Sequence, residues 1–477
     1  MTTNPRGPSA PDGPTGQVSR WVAGFDIDHA PAPVIERAKH LLLDGVACAL
    51  VGSQLPWSRT AALAVLEFEG DGPAPLIGWG RTTSLPAAAL LNGTFIQGFE
   101  LDDFHPFAPL HGNSLLVPAL LSASLLEPAL DGARFLAAAV AGFEVGPRVG
   151  LALHGAEMLS RGWHSGPVFG TVAAAAAVAN MLGLDGAEVE DALGMGATQS
   201  CGLMAAQFGA MSKRMHHGLA SRNGLYAALL ARGGYTGINQ VFEQPYGGYL
   251  STFGEGHDPD HTQIAAELGQ RWETQQIAVK PYAVMGGLHA AIDAVFDIAA
   301  TRPLTPADIE QIEVQLGHAV YHHGWWPPER PLTATGAQMN VAYSVAVAVI
   351  DGAALVRQYS PARIDSDDVW DLMAKVTAVH NPDFDGEATG RGQTRLRVTF
   401  KDGTTADSYQ FAAKSLLTPL TNAEVVAKYR TLVDGVVDPD RAARLEEVIL
   451  HLDEAPDVAE LRDLLAAPAA SLFDEAS

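Results

Sequence analysis

Five titratable side chains lie within twelve consecutive residues: Glu100, Asp102, Asp103, His105 and His111. Only 18% of the chain is Asp, Glu, Lys or Arg, and this stretch separates two strongly apolar segments. Carboxyl groups with a pKa of about 4 and imidazoles with a pKa of about 6.5, held close together, are the usual groups of proton-transfer chemistry. A polar loop whose acids cap helices and whose histidines face water is the structural alternative. These residues alone leave both interpretations open.

Two further segments carry basic groups among apolar neighbours. His164 lies in a loop flanked by Gly and Pro, directly before an apolar helical segment whose free N–H groups could bind a carboxylate. A single histidine in such a loop is more often structural. The run that contains Lys213, Arg214, His216 and His217 supplies the cations that an acidic protein needs to hold a polyanion.

Two more candidates lie in the second half of the chain. Lys280 precedes a proline and a segment of small residues, at the point where the pattern changes from helical to mixed. A lysine at such a junction is well placed to face an anion between two domains. Tyr343 lies in an apolar helix, where a packing role is the simpler interpretation.

Composition excludes several classes of function. The net charge of −24 gives no electrostatic footprint for nucleic acid or for an anionic membrane surface. Two cysteines cannot form a disulfide framework or ligate a conventional iron–sulfur cluster. Phosphate-binding glycine loops, Cys-x-x-Cys pairs and nucleophile elbows do not occur. Apolar runs are short or interrupted and no secretory signal is visible, so we expect a cytoplasmic protein without membrane spans. A metal site built from the acids and histidines of residues 100–111 is the weaker hypothesis.

Periodicity predicts a mainly α fold with an α+β part. Apolar residues follow helical spacing through most of residues 18–275, which we interpret as one all-helical domain after a disordered tail at 1–17. Residues 276–415 contain two helices and three segments of alternating apolar and polar residues, the last of which surrounds a Lys-Asp-Gly-Thr hairpin signal, which predicts a smaller α+β domain. Residues 416–477 return to helical patterns. The large helical domain is therefore predicted to be built from both ends of the chain.

These segments, in this order, resemble the MmgE/PrpD family over essentially the whole chain. The motifs that carry the resemblance are ELDDFHPFAPLHGNSLLVPALL, GWHSGPVFGTVAAAAAVANMLGL, ALGMGATQSCGLMAAQFGAMSKRMHHGLASRNGL, VFEQPYGGYLSTF and VKPYAVMGGLHAAIDA. The family contains 2-methylcitrate dehydratase, cis-aconitate decarboxylase and iminodisuccinate epimerase. Segments such as HHGWWPPERP and AQMNVAYSVAVAVIDG are closest to its fungal decarboxylases.

The resemblance implies a homodimeric lyase that acts on a small polycarboxylate without a metal or organic cofactor, its smaller domain serving as a lid. Decarboxylation of cis-aconitate to itaconate is the expected reaction. Dehydration and epimerisation remain the enzymatic alternatives, and a small-anion binding or scaffold protein the non-enzymatic one. The implied catalytic residues are Asp102, Asp103, His111, His164 and Lys213, and the implied substrate-binding residues are Glu100, Arg214, Lys280 and Tyr343.

Overall fold

The computed structural model describes residues 6–155, 157–385 and 392–473. Helices dominate it, which confirms the predicted mainly α class. The first part of the chain contains a short β-hairpin, which the sequence did not predict, and eleven α-helices in its described residues. The hairpin strands are β1 Ala74–Leu76 and β2 Arg81–Thr83; the helices are α1 Pro14–Gly24, α2 Ala32–Ser53, α3 Pro56–Glu69, α4 Leu85–Ile96, α5 Gly112–Ala123, α6 Gly132–Ala152, α7 Glu157–Ser160, α8 Ser165–Met181, α9 Gly186–Thr198, α10 Ser212–Arg232 and α11 Tyr249–Phe253.

The second part of the chain mixes helices and strands before it ends in helices. Its strands are β3 Ile309–Leu316, β4 Val376–His380, β5 Thr394–Phe400 and β6 Thr405–Gln410. Its helices are α12 His289–Thr301, α13 His318–Gly324, α14 Ala334–Met339, α15 Val341–Asp351, α16 Pro361–Ile364, α17 Asp367–Met373, α18 Lys414–Leu417, α19 Asn422–Val433, α20 Pro439–Leu450 and α21 Ala459–Ala466.

The three segments predicted as strands form one four-stranded sheet in the order β4-β3-β5-β6. Strand β3 pairs parallel with β4 and antiparallel with β5, and β5 and β6 form the predicted hairpin. Ile312, Val314 and Leu316 alternate with more exposed residues on β3 and are fully buried. Helix α12 packs against β5 and β6, and helix α15 packs against β4 and α12. The two helices cover the apolar face that the alternation of buried and exposed residues gives to the sheet.

Helices α4, α5, α8 and α10 pack closely at the centre of the helical part. Helix α8 is buried along its whole length, as its run of alanines predicts. At Gly218 the backbone of α10 meets the carbonyl of Leu90 on α4, where an added Cβ would overlap that oxygen. This approach fixes the start of α10, which carries Lys213, Arg214 and His217.

Both chain ends join the helical part. Helix α19 packs against α2, and Lys428 Nζ contacts Asp44 Oδ1 at 2.6 Å and donates to the Leu101 carbonyl at 2.7 Å. The predicted tail at residues 1–17 is wrong for its described residues, because Ser9 donates two hydrogen bonds to Glu190 and α1 has begun by Pro14. The remaining domain boundaries stay predictions.

Helix α6 is, by length and composition, apolar enough to cross a membrane, as is the bent pair α2–α3 if it is counted as one span. In α6, 94% of the apolar window is buried inside the protein. Core helices of large helical proteins have this composition, so α6 is a core helix.

Candidate active site

A cavity of about 510 Å³ lies where the helical part meets the α+β part. Side chains from both parts line it, and the apolar ones form most of its wall. The titratable and polar residues of the wall are Glu100, His111, His164, Ser165, Lys213, Gln276, Lys280, His323 and Ser415. The structure thus brings together five of the nine predicted site residues: Glu100, His111, His164, Lys213 and Lys280.

Backbone contacts hold the two loops that carry most of these groups. Glu100 caps a 3-10 helix in the left-handed conformation, with a φ of 53°, which is uncommon for a residue with a side chain. Phe104 and Ala278 exchange two backbone hydrogen bonds of 2.9 Å, which ties the acidic loop to the segment of Lys280. The N–H of His164 donates to the Gly202 carbonyl at 3.0 Å and fixes the second loop.

Glu100 lies at the centre of a cation cluster, which comprises Glu100, Lys213, Arg214 and Lys280. Its Oε1 accepts hydrogen bonds from the Lys213 ammonium and, at 2.7 Å, from the Arg214 guanidinium. Its Oε2 accepts one from Lys280 at 2.7 Å. All four side chains are at least 96% buried. Three cations facing one carboxylate leave two positive charges uncompensated within the cluster, which favours a polyanionic ligand.

Burial and charge pull the pKa values of this cluster in different directions. Burial alone would raise the pKa of Glu100, but the charges of Lys213, Lys280 and Arg214 hold it well below its ordinary value. Burial lowers the pKa of Lys213 to about 8, against the opposing charge of Glu100. Glu100 is therefore ionised at neutral pH, and Lys213 is the cation most readily discharged.

Arg214 does not line the cavity. Besides Glu100, its guanidinium donates to Gln97 Oε1 at 3.3 Å and to Gln338 Oε1 at 2.6 Å. Gln338 in turn donates to the carbonyls of Phe99 and Ala283, so it joins α14 to the loop before Glu100. Arg214 was predicted to bind substrate, but in the structure it holds Glu100 in place without reaching the cavity wall.

The adjacent acids Asp102 and Asp103 make different contacts. Asp102 Oδ1 lies 3.0 Å from His111 Nδ1. Asp103 accepts hydrogen bonds from the N–H groups of Gly112 and Asn113, at 2.9 and 3.0 Å, and so caps the start of α5. Burial and the neighbouring Asp102 raise the pKa of Asp103 to about 8. Neither acid lines the cavity, so each acts through what it holds.

His111 and His164 reach the cavity wall, and both use Nδ1 for a protein partner. His111 Nδ1 faces Asp102, and His164 Nδ1 lies 2.9 Å from His216 Nδ1. Nε2 is therefore the nitrogen left for a ligand on each ring. Burial, and then Lys213, lower the pKa of His164 well below its ordinary value. His164 is consequently neutral.

Two further residues that the sequence suggested as candidates for the site also lie outside the cavity wall. Tyr343, predicted to bind substrate, is fully buried in α15 and donates its hydroxyl proton to the Gln358 carbonyl. His105 is buried between Glu273, at 3.2 Å, and the Ala108 N–H, so it braces the loop.

The polar residues at or behind the cavity wall that the sequence did not predict include Gln338, His217 and His323. Gln338 and His323 belong to segments that carried the family resemblance, but nothing in their spacing distinguishes a buried contact from a surface one. His217 is adjacent to His216 in the basic run, and only the direction of α10 decides which of the two is buried. Among the described residues, no three His, Cys, Asp or Glu side chains are arranged to hold a metal ion.

Comparison with known proteins gives consistent matches over the whole chain. Residues 16–261 match the MmgE/PrpD N-terminal domain and residues 282–454 match the MmgE/PrpD C-terminal domain. The chain is 45% identical to the cis-aconitate decarboxylase-like protein oryM of Aspergillus oryzae, over 96% of this chain and 98% of that protein. It is 39% identical to the cis-aconitate decarboxylase of Aspergillus terreus, over 99% of both chains. The human cis-aconitate decarboxylase is 25% identical over 94% of this chain and 93% of its own length.

Proposed function

Because the chain belongs to the MmgE/PrpD family, and because its cavity joins a cation cluster to paired histidines, we propose that it decarboxylates cis-aconitate to itaconate. The single observation that carries this proposal is the contact set of Glu100 with Lys213, Arg214 and Lys280 at the cavity wall. The full-length similarity to proteins named cis-aconitate decarboxylase supports the choice of substrate.

The two lysines are the substrate-binding cations in this proposal. Each ammonium has three N–H donors, and one of these is used by Glu100. The remaining donors of Lys213 and Lys280 hold the two carboxylates that the product retains. Glu100 keeps the two lysines at a fixed separation, and its charge opposes the lowering of the Lys213 pKa by burial. The departing carboxylate meets the apolar part of the wall, since tight binding there would stabilise the ground state.

The reaction moves electrons away from the departing carboxylate. As CO₂ leaves the methylene carbon, the pair from the broken C–C bond forms a new double bond to the central carbon. The electrons of the original double bond move to the former vinyl carbon. Negative charge therefore spreads toward a retained carboxylate, where the lysines stabilise it in the transition state.

His111 supplies the proton that completes itaconate. Its Nδ1 faces the buried Asp102, which fixes the ring, and its Nε2 is left for the substrate carbon. His164 is held neutral and so orients or polarises the substrate rather than protonating it. Asp103 serves by fixing the start of α5, next to His111.

Incubation with cis-aconitate, 2-methylcitrate and iminodisuccinate, followed by NMR, tests the activity. We expect itaconate and CO₂ from cis-aconitate, with one solvent deuterium at the former vinyl carbon in D₂O, and no turnover by His111→Ala. Water loss from 2-methylcitrate would instead indicate a dehydratase, and loss of stereochemistry an epimerase. An absence of turnover together with an absence of a carboxylate-induced thermal shift would favour a scaffold.

We also propose a cytoplasmic homodimer whose α+β part closes over the cavity. The family resemblance and the reduced state of both cysteines, Cys48 and Cys201, support this proposal. Light scattering at several protein concentrations tests the dimer.

A further inference from the structure

His217 is a buried imidazole for which packing alone gives no reason. Its ring is fully buried, and within the described residues neither nitrogen has a hydrogen-bond partner. An unpaired buried polar group costs stability, and a phenylalanine would fill the space without that cost. The ring lies between His111 and His164, with centroid distances of 5.1 and 4.9 Å and interplanar angles of 84° and 81°.

His216 extends this arrangement toward solvent. Its ring centroid is 5.2 Å from that of His164, and the two Nδ1 atoms are within hydrogen-bond distance. His216 is half-buried and lines a small crevice together with the exposed Cys201, separate from the main cavity. The crevice has a volume of about 10 Å³, close to the minimum that admits a water molecule. His216, His164, His217 and His111 thus form an imidazole row with steps of about 5 Å from crevice to cavity.

The charges around the row keep its inner members neutral. Burial is the largest cause that lowers the pKa values of His164, His216 and His217; Lys213 is the next cause at His164 and His216, and the neighbouring imidazoles are the next at His217. Lys213 acts on all three, and Glu100 opposes it at His164. A neutral imidazole has one donor nitrogen and one acceptor nitrogen, so it can accept a proton on one side and release another from the opposite side.

The decarboxylation proposed above, on which this inference rests, removes one proton from His111 in each turnover. We propose that the imidazole row returns that proton from solvent, through His216, His164 and His217, while substrate or product covers the cavity. His164 accepts a proton on Nδ1 from His216 and releases another from Nε2 to His217. His217, whose nitrogens have no hydrogen-bond partner among the described residues, turns from His164 to His111 and releases a proton to Nε2 of His111, the nitrogen that lost its proton to the substrate carbon. The cycle consumes one solvent proton, releases one CO₂ and involves no change in oxidation state.

The test compares the first turnover with the steady state in His217→Phe. Phenylalanine keeps a ring in the same space but cannot carry a proton. We expect a first turnover within about twofold of wild type in rapid-quench experiments at neutral pH, because the first turnover does not require a proton to be returned to His111. The steady-state rate should fall by roughly tenfold or more, and added imidazole buffer should restore much of it.

Gly166→Ala provides a second variant that leaves every histidine in place. An added methyl group would overlap Nε2 of His217 and displace the ring from its position between His111 and His164. We therefore expect a first turnover close to that of wild type and a lower steady-state rate, as in His217→Phe. His451→Phe, at an exposed position after α20, is the matched control and should behave as wild type. Circular dichroism and thermal unfolding verify that each variant is folded.

Two results would overturn the relay. A first turnover that falls in parallel with the steady state, without imidazole rescue, would make His217 a packing residue. A steady-state rate equal to that of wild type in both variants would show that His111 is reprotonated by another route. Failure of the proposed function is distinguishable, because in that case wild-type protein itself forms no itaconate.

Discussion

The cation cluster and the imidazole row share the same cavity wall but differ in how fully their polar atoms are paired. Both oxygens of Glu100 are bonded, and both terminal nitrogens of Arg214 donate to Glu100, Gln97 or Gln338, while its Nε has no partner among the described residues. In the row, His217 has no hydrogen-bond partner among the described residues, and the Nε2 atoms of the two cavity histidines are left for a ligand. A paired cluster holds its charge in a fixed place and suits binding, whereas unpaired imidazoles can change their protonation state and suit proton transfer.

The largest effect on kcat/KM is expected from removing a charge of the cation cluster. Lys213→Ala should lower kcat/KM by roughly 10³-fold, because it removes a cation from the retained carboxylates and leaves Glu100 less compensated. The exposed Lys401→Ala, in the turn between β5 and β6, is the control for loss of a lysine. Steady-state kinetics with thermal unfolding give the comparison. A kcat/KM of Lys213→Ala close to that of wild type would show that the cation cluster does not bind the substrate.

The neighbouring acids provide the next comparison, because one faces a histidine and the other a helix start. Asp102→Asn should lower kcat by roughly 10²-fold with little loss of stability, since the His111 imidazolium loses its carboxylate. Asp103→Asn should mainly lower the free energy of unfolding, by about 1 kcal/mol, as a weakened cap of α5. Parallel kinetics and denaturant unfolding separate the two effects, and equal effects on kcat would contradict the assignment.

The stability of wild type relative to Asp103→Asn also has a predicted sign. The folded pKa of Asp103 is raised to about 8, above its ordinary value, so protonation of Asp103 favours the folded state. This contribution is complete at acidic pH and is lost as pH rises toward 8. The advantage of wild type should therefore shrink between about pH 4 and pH 8.

The sequence predicted much of what is local and little of what depends on pairing. Strand β3 and the β5–β6 hairpin were predicted within a residue or two, because alternation and turn residues lie within each segment. The short β1–β2 hairpin was missed, since its three-residue strands show too little alternation. Candidate site residues could be chosen by type and neighbourhood, and five of them do reach the cavity wall.

The residues that each site side chain contacts could not be predicted from the sequence. The resemblance implied that Glu100 binds substrate, and its bonds to cations 113 and 180 residues away in sequence could not be inferred. The different roles of Asp102 and Asp103 depend on one turn of a loop. The N-terminal segment was predicted to be a disordered tail because it is rich in Pro and Gly. That composition does not indicate that Ser9 donates hydrogen bonds to the Glu190 carboxylate.

A smaller effect is expected from discharging Lys213 by pH. Its pKa of about 8 in the free protein means that it is charged below that pH and neutral above it. We therefore expect kcat/KM to fall as pH rises through about 8, with a weaker change in kcat because bound carboxylates keep the ammonium charged. Lys213→Arg, which stays charged, should lose this limb, and Lys401→Ala should retain it. A wild-type profile that is flat to pH 9.5 would contradict the assignment.

The smallest effect is expected at Tyr343, which was predicted from resemblance to bind substrate. Tyr343→Phe should leave kcat/KM within about twofold of wild type, because the hydroxyl bonds the Gln358 carbonyl rather than the cavity. It should lower the free energy of unfolding by about 1 kcal/mol through the lost hydrogen bond. Tyr429→Phe removes a comparable bond to the Ala442 carbonyl and should cost a similar amount. If kcat/KM fell tenfold in Tyr343→Phe alone, α15 would have to move its tyrosine to the substrate on closure, and the paired cluster would extend into the α+β part.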